Sequence, residues 1–335
     1  MQTILLIRFG ALGDLCLTGW TASRLAQAPG RGDRHVILVT KERFADLAAA
    51  FTGVDRVAVL REPGRLADLV RLAARLRRDR HDVLIDAHGV LRSRLLVGLL
   101  GRRPRARLRK DTVARLRLIR GGDVAPGLRQ HLRDRLDRLL DQAGLPAGPA
   151  TPPLAHLAAT GSRPAVLGLA PGAQWDPKRW PAEHWAALAD LALADGLDLR
   201  VYLGPREEAW FDTSPLATRL SGHARVELVR GRSHLEVARS LAGCRALVCN
   251  DSGLMHLAEA VGTPVVACFG PTVQAFGYAP RLERSRVLEI DDLACRPCSR
   301  VGDRPCHRGD LACLVRLRPE LAWRTVAPLL RDGAD

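Results

Sequence analysis

Short apolar runs alternate with longer amphipathic segments along almost the whole chain, and this rhythm restricts the fold more than any other feature. The runs of the first half are at residues 3–8, 35–40, 57–60 and 82–87. Those of the second half are at 165–170, 198–203, 226–229, 246–250 and 264–269. Strands that alternate with helices in this way predict an α/β fold, in which helices cover both faces of a parallel sheet.

The length of 335 residues suggests about two domains. Pro and Gly are concentrated at 144–153, where we place the linker, so the predicted domains are 1–150 and 151–335. Two such halves would bind ligands in a cleft that both sheets face with the carboxyl ends of their strands. The second half is also expected to contain single helices at 206–220 and, last in the chain, at 319–330.

The hydrophobic fraction of 47% is that of a soluble globular protein. No apolar run reaches the roughly 18 residues that a membrane span requires. The N-terminus has no basic region ahead of its short apolar run, which is not typical of a signal peptide. These observations predict a cytoplasmic protein, and its eight cysteines are too few for a disulfide framework.

The positive charge is concentrated in the first half of the chain. Residues 1–150 contain 29 Lys and Arg against 15 Asp and Glu, whereas residues 151–335 contain 22 against 21. A general preference for Arg explains 48 Arg against 3 Lys, but it does not explain why one half is neutral. We therefore expect the first half to face an anion, either a nucleic acid, an anionic membrane or a phosphorylated substrate. Residues 61–120 contain no aromatic residue, which disfavours nucleic acid.

Gly10–Asp14 forms a glycine-containing turn between the first predicted strand and helix. Its backbone N–H groups could approach an anion, although the turn lacks the GxGxxG spacing of a dinucleotide site. Asp14 would lie at the carboxyl end of a strand, where a carboxylate is well placed to act as a general base. The alternative is that Asp14 only caps the helix.

Lys178 is one of three lysines in a chain that otherwise uses arginine. It lies between strand 165–170 and the helix that Pro181 begins, and a compact ammonium there is suited to a phosphate. The alternative is a surface lysine. The segment 249–256 passes from a strand into a helix, whose N-terminus is a natural diphosphate site. Here Asp251 and Ser252 could instead be helix caps, and His256 a core residue.

These segments together resemble the ADP-heptose:lipopolysaccharide heptosyltransferases of glycosyltransferase family 9. The residues that carry the resemblance are ILLIRFGALGDLCLT, PGA with the following KRWP, NDSGLMHLAEAVGTP and FGPT. They span nearly the whole chain in order, whereas about residues 60–150 contain no family motif. The resemblance implies the GT-B architecture, with two Rossmann-like domains whose parallel sheets face a central cleft.

The resemblance also implies roles for individual residues. Asp14 falls on the general base and Lys178 on a catalytic lysine that contacts the donor phosphate. A Glu of the stretch 203–208 would contact the ribose, and we favour Glu207 over Glu208. The full set of implied donor-binding residues is Gly13, Gly172, Ala173, Lys178, Glu207, Asp251, Ser252, Gly253, Leu254, His256 and Thr272.

The implied activity is inverting transfer of heptose from ADP-heptose to a hydroxyl of the lipopolysaccharide inner core, with no cofactor needed for catalysis. The basic first half would then bind the anionic acceptor and hold the enzyme peripherally on the inner leaflet of the inner membrane. One alternative is a family 9 transferase with another donor, or with a protein or another glycan as acceptor. A nucleic-acid-binding protein and an NAD-dependent dehydrogenase are more distant alternatives, since their motifs are absent.

Cys295, Cys298, Cys306 and Cys313 lie within 19 residues of one another in a polar loop. Four thiolates could bind a structural zinc or iron ion, and similar cysteine runs occur in part of the family. Disulfides and unbound thiols are the alternatives. The other motif residues lie elsewhere in the sequence, and four thiolates would leave no open position for substrate, so we expect a structural rather than a catalytic metal site. The remaining four cysteines fall in apolar patterns and are predicted to be buried.

Overall fold

The structure, a computed structural model, describes residues 1–125, 128, 130–158 and 165–331. Within these ranges the chain forms two sheets, and all strand pairs in both are parallel. Helices connect successive strands. The α/β fold class predicted from the alternation is therefore confirmed.

The first sheet has the strand order β3-β2-β1-β4-β5. Its strands are β1 (Gln2–Ile7), β2 (Arg34–Lys41), β3 (Arg56–Leu60), β4 (Val83–Asp86) and β5 (Ala106–Arg107). The order reverses between β1 and β4, which pair directly. In open α/β sheets the crevice at such a reversal, beyond the carboxyl ends of the strands, is where ligands bind.

The second sheet has the order β11-β10-β9-β6-β7-β8, which reverses between β6 and β9. Its strands are β6 (Val166–Ala170), β7 (Asp198–Tyr202), β8 (Val226–Val229), β9 (Ala246–Asn250), β10 (Val265–Cys268) and β11 (Arg286–Leu288). Numbered from β6, this is the 3-2-1-4-5-6 order of dinucleotide-binding folds. The sheet therefore has the topology that the resemblance implied.

Several helices pack apolar side chains against the sheets, as α3 and α4 do in the first half and α7, α9 and α13 in the second. Those of the first half are α1 (Leu12–Ala26), α2 (Ala45–Ala49), α3 (Leu66–Arg78), α4 (Leu91–Leu100), α5 (Thr112–Ile119) and α6 (Leu132–Gln142). Those of the second half are α7 (Ala182–Ala194), α8 (Glu208–Asp212), α9 (Pro215–Leu220), α10 (His234–Ala242), α11 (Gly253–Ala260), α12 (Ala312–Val315) and α13 (Pro319–Arg331). No helix in the described ranges is both long and apolar enough to cross a bilayer.

The chain divides into two compact units, and the division differs from a simple break at residue 150. Unit 1 comprises Met1–Asp111 and Gln130–Ala155, and unit 2 comprises Thr112–Arg129 and His156–Asp335. Helix α5 thus groups with the second unit. The contacts of Arg115 explain this, since its guanidinium lies over the rings of Phe276 and Tyr278 and donates to the Phe276 carbonyl at 3.1 Å.

The single helix predicted over 206–220 is wrong, because two short helices occupy this segment. Helix α8 ends at Asp212, and α9 begins at Pro215. The Ser214 side chain accepts a hydrogen bond from the Ala217 N–H and so caps α9, while Pro215 occupies its first turn. Ser214 followed by Pro215 is a helix-start signal that is visible in the sequence, and the prediction did not use it.

Candidate functional site

The carboxyl ends of β6 and β9 are joined by the side chain of Asn250, the last residue of β9. This side chain is completely buried, and its amide nitrogen donates to the carbonyls of Pro171 at 2.8 Å and Gly172 at 3.1 Å. Its oxygen accepts from the Trp180 N–H at 3.0 Å. One amide therefore fixes both ends of the loop that follows β6, and this loop contains Lys178.

Lys178 and Asp251 form an ion pair at this point, with 2.6 Å between Nζ and Oδ2. Thr272, in the turn after β10, donates its hydroxyl to the same carboxylate at 2.5 Å. Burial acts to raise the pKa of Asp251, but the Lys178 ammonium and the Thr272 hydroxyl outweigh it and hold that pKa below its usual range. Three of the predicted donor-binding residues, from three separate motifs, are thus brought together.

Helix α11 begins beside this ion pair, with Ser252 as its N-cap residue. The Ser252 side chain makes no capping hydrogen bond, and its hydroxyl is buried without a hydrogen-bond partner. The alternative of a simple serine cap is therefore wrong. Gly253, Leu254 and His256 follow on the helix, and His256 is buried. A helix N-terminus whose N–H groups are not capped by a side chain is suited to an anion.

Glu207, which directly precedes α8, lies against Gly172 in the loop that follows β6. Its carboxylate accepts a hydrogen bond from the Gly204 N–H at 2.7 Å, and burial raises its pKa. A β-carbon at position 172 would collide with this carboxylate, so Glu207 could keep its present position only beside a glycine. The adjacent Glu208 lies instead in the first turn of α8. Ala173 is buried next to Gly172, and its carbonyl accepts from the Arg179 side chain at 3.3 Å.

The cysteine loop, residues 295–313, contacts these residues. Arg296, with its side chain buried, donates to the carbonyls of Phe269 at 3.2 Å, Gly270 at 2.5 Å and Thr272 at 2.9 Å. The aliphatic stem of Lys178 passes over Gly302, close enough to exclude a β-carbon there. The loop therefore supports both Thr272 and Lys178.

The four thiols of this loop are near one another but are not arranged as ligands. Burial and then the neighbouring thiols raise the pKa of Cys298 to about 11, and burial raises that of Cys313 to about 11. The Cys298 thiol donates to the Cys295 carbonyl at 3.2 Å. In the described ranges, no three side chains of His, Cys, Asp or Glu converge as metal ligands would. The other four cysteines are buried, as predicted.

In unit 1, Asp14 lies in the first turn of α1, the helix that follows β1. The strand order of this sheet reverses between β1 and β4. The N-cap residue of α1 is Ala11, so Asp14 is not the cap that the alternative interpretation required. Its carboxylate forms an ion pair with Arg8. Arg8 is itself buried and donates to the carbonyl of Ala87, after β4, at 2.5 Å. This arrangement holds the Asp14 carboxylate at the strand ends. Gly13 precedes it within the same turn.

A second group of polar side chains follows β4. Asp86 is completely buried, pairs with Arg107 at 3.0 Å and accepts from the Gly89 N–H at 2.9 Å. Burial, and then the nearby positive charge of Arg8, lower the pKa of His88 to about 4. His88 is therefore neutral near pH 7, with a buried Nδ1 that has no hydrogen-bond partner. The imidazole is available to a hydroxyl or an anion.

A cavity of about 660 Å³ opens at these strand ends. Its polar lining includes Lys41, Arg43, His88 and Arg92, and its apolar lining includes Phe9. Lys41 and Arg43 both approach Glu62, at 3.5 and 3.4 Å. Three permanent cations around one cavity make it suited to an anionic ligand with a sugar-sized body.

Sequence reasoning overlooked four residues that position the site: Arg8, His88, Asn250 and Arg296. Arg8 and Arg296 are two of 48 arginines, and their sequence neighbours do not indicate that their side chains are buried. Asn250 stood within a quoted motif, yet its position as the last residue of a buried strand was not used. A polar residue at the end of a fully apolar strand was the available signal, because it must find partners inside the protein.

Comparison with known proteins identifies relatives. The sequence model described as "Glycosyltransferase family 9 (heptosyltransferase)" matches residues 69–304. Lipopolysaccharide heptosyltransferase 1 of Pseudomonas aeruginosa is 31% identical over 315 residues, which are 88% of this chain and 85% of that protein.

Solved structures share the fold. The Escherichia coli heptosyltransferase WaaC, solved with ADP, superposes with a TM-score of 0.73 at 23% identity, and covers 98% of this chain and 100% of its own. The dodecameric iron-containing heptosyltransferase TibC of enterotoxigenic E. coli, solved with ADP-D-β-D-heptose, gives 0.58 at 13% identity, over 98% of this chain and 76% of its own.

We predict that Arg296→Met lowers the free energy of unfolding by about 3 kcal/mol, because it leaves the carbonyls of the buried residues Phe269, Gly270 and Thr272 without this donor and removes the ion pair with the partly buried Glu289. Urea denaturation measures this. Arg300→Met, an exposed change in the same loop, is the control and should stay within about 0.5 kcal/mol of wild type. A similarly small loss for Arg296→Met would show that the turn after β10 does not depend on this guanidinium.

Proposed function

Because the chain belongs to glycosyltransferase family 9, we propose that it transfers heptose from ADP-heptose to a hydroxyl of an anionic lipopolysaccharide-core acceptor, with inversion. The chain is a glycosyltransferase of the GT-B fold. The choice of donor rests on one observation: Lys178 and Thr272 both contact the carboxylate of Asp251 beside the N-terminus of α11. This arrangement supports a diphosphate site. The second sheet, whose strands these residues follow, also has the strand order of nucleotide-binding folds.

The donor would be held by charge and by backbone N–H groups. Asp251 keeps the Lys178 ammonium in place before the diphosphate arrives. The phosphate oxygens would then share that ammonium and accept from the first N–H groups of α11 and from the Ser252 hydroxyl. Glu207, which faces Gly172, would accept from the ribose hydroxyls. These groups stabilise the negative charge that develops on ADP as it leaves.

The acceptor would be activated by Asp14. Its carboxylate removes the proton of the acceptor hydroxyl while the oxygen forms a bond to the anomeric carbon. The bond from that carbon to the phosphate oxygen breaks on the opposite face, so the configuration inverts and ADP departs. Arg8 fixes the carboxylate orientation, and the neutral imidazole of His88 lies close to the same group.

The cavity in unit 1 would receive the acceptor. Its cations Lys41, Arg43 and Arg92 match the phosphates and carboxylates of an inner-core acceptor. The same basic unit would hold the enzyme on the cytoplasmic face of the inner membrane, since each Lys or Arg near an anionic surface contributes about 1 kcal/mol. Another donor or acceptor within the family is the alternative, because the acceptor region contains no family motif. Membership of the family removes the nucleic-acid-binding and dehydrogenase alternatives.

The catalytic steps above need no cofactor, and the cysteine loop would have a structural role. We propose Cys295, Cys298, Cys306 and Cys313 as ligands of one zinc or iron ion. All four lie within 19 residues, and the Cys298 thiol contacts the Cys295 carbonyl, but a metal ion would have to draw the thiols closer than the structure places them. That one structural neighbour, TibC, is iron-containing supports the proposal.

We predict that Asp14→Asn keeps the affinity for ADP-heptose and loses about 100-fold or more in turnover, since the amide cannot accept the acceptor proton. Calorimetry measures the first quantity and initial rates the second. Asp33→Asn removes an exposed carboxylate of the same unit and should leave both unchanged. Near-wild-type turnover of Asp14→Asn would reduce Asp14 to a structural partner of Arg8.

We predict that ADP-heptose raises the melting temperature of the protein more than UDP-sugars, GDP-sugars or NAD do. We also predict that Lys178→Ala weakens ADP binding and lowers turnover together. The lysine would touch phosphate in both the ground state and the transition state. Arg232→Ala, which removes an exposed cation of unit 2, is the matched control. Unchanged ADP affinity in Lys178→Ala contradicts the phosphate assignment, and a larger shift with another nucleotide sugar contradicts the donor.

We predict close to one zinc or iron ion per chain in protein purified without a metal-affinity tag. Cys298→Ser should lose the metal and lower the melting temperature, because binding is coupled to folding of the loop. Cys244→Ser, a buried thiol outside the loop, should keep it. Elemental analysis below about 0.2 ions per chain, with four titratable thiols in the loop, would overturn the metal site.

A further inference from the structure

Helices α3 and α4 expose four large aliphatic side chains at neighbouring positions. Leu66 and Val70 of α3 are 64% and 46% exposed, and Leu91 and Leu95 of α4 are 74% and 44% exposed. Each pair is four residues apart and so shares one helix face. Buried leucines of both helices join one core cluster, which places α3 and α4 side by side. We call these four side chains the α3–α4 patch.

The α3–α4 patch continues into the cavity of unit 1. Leu66, Leu91 and Leu95 line that cavity together with Arg43 and Arg92. Arg92 also reaches the turn before α3, where its guanidinium lies 3.7 Å from the position of a β-carbon on Gly64. One wall of the cavity mouth is therefore apolar and exposed, and the cations lie directly beside it.

The surroundings of the α3–α4 patch are basic. Exposed arginines that are close to the patch residues in the sequence are Arg61, Arg65, Arg71, Arg92 and Arg94. The acidic residues there are already engaged: Glu62 lies near Lys41 and Arg43, and Asp68 accepts from the Arg65 N–H and pairs with Arg71. Exposed aliphatic groups beside an excess of arginines over acidic residues match a surface that is anionic at its headgroups and apolar beneath them.

We propose that the α3–α4 patch inserts into an anionic phospholipid bilayer and holds the mouth of the cavity at the lipid surface. This deepens the proposed function, on which it rests, by identifying the face that meets the membrane. A second copy of the chain fits less well, because a two-fold contact would oppose the arginines of one copy to those of the other. Nucleic acid would satisfy the cations but would leave the aliphatic side chains without a partner.

The test is sedimentation of the full chain with vesicles of three parts phosphatidylcholine to one part phosphatidylglycerol. The double variant Leu91→Ser, Leu95→Ser should bind these vesicles at least about tenfold more weakly, since each leucine loses apolar burial. Leu321→Ser on α13, which changes a leucine that is 38% exposed in the other unit, is the matched control and should bind like wild type. Both variants alter exposed positions, so their melting temperatures should equal that of wild type.

Salt separates insertion from simple attraction. Wild-type binding should weaken but persist at 0.5 M salt, because salt screens the attraction between charges but does not weaken apolar burial. The double variant, which depends on charge alone, should be fully released. Unchanged vesicle binding by the double variant overturns the proposal. So does a wild-type dimer in sedimentation velocity that the double variant converts to monomer, which would assign the patch to a second copy.

Failure of the proposed function has a different signature. Transfer of heptose to a deacylated, water-soluble acceptor does not require the membrane. Val70→Ser changes the residue of the α3–α4 patch that is not among those lining the cavity, so it should weaken vesicle binding and retain this transfer in full. If wild type transfers no heptose to any core acceptor but binds vesicles through the α3–α4 patch, the proposed function fails and the docking surface stands. If heptose transfer is normal and vesicle binding does not depend on the α3–α4 patch, the docking surface fails and the proposed function stands.

Discussion

The buried amide of Asn250 is the interaction on which the site in unit 2 depends. A polar side chain in an apolar interior must satisfy its hydrogen bonds within the protein, and Asn250 does so with the backbone at Pro171, Gly172 and Trp180. These partners lie on both sides of Lys178 along the chain. The loop is thus fixed at both ends against the strand that leads directly into Asp251, and the ion pair follows from that placement.

Arg8 has a comparable position in unit 1. It follows β1 as Asn250 ends β9, is likewise buried, and links the backbone after the neighbouring strand to the carboxylate of Asp14. Both linking side chains lie where the strand order reverses, between β1 and β4 and between β6 and β9. At such a reversal the loops from adjacent strands diverge to opposite faces of the sheet and leave a crevice. A buried polar side chain there both fills the gap and fixes the loops around it.

The sequence was sufficient to predict the parallel α/β architecture and most of the residues that converge at the reversal in unit 2. Strand-end positions made this possible, since loops after parallel strands share one edge of the sheet. Strands β5 and β11 were not predicted, because they are only two and three residues long and lack a periodic pattern. Long-range contacts were also inaccessible. The bonds of Arg296 to the turn after β10 cross more than twenty residues of sequence and depend on the folded course of the cysteine loop.

The course of that loop changes how Lys178 should be understood. The stem of the lysine lies on Gly302, and its ammonium is held by Asp251, whose own position depends on Thr272 and through it on Arg296. Such a lysine is oriented before any anion arrives, and part of its charge is already compensated. Preorganisation of this kind favours the state in which negative charge is greatest, because an anion must compete with Asp251 for the ammonium. If Lys178 contacts the donor as proposed, a departing diphosphate would compete better than the bound donor, and the ion pair would direct the stabilisation towards the leaving group. The cysteine loop would then contribute to this stabilisation through Gly302 and Arg296 rather than through its thiols.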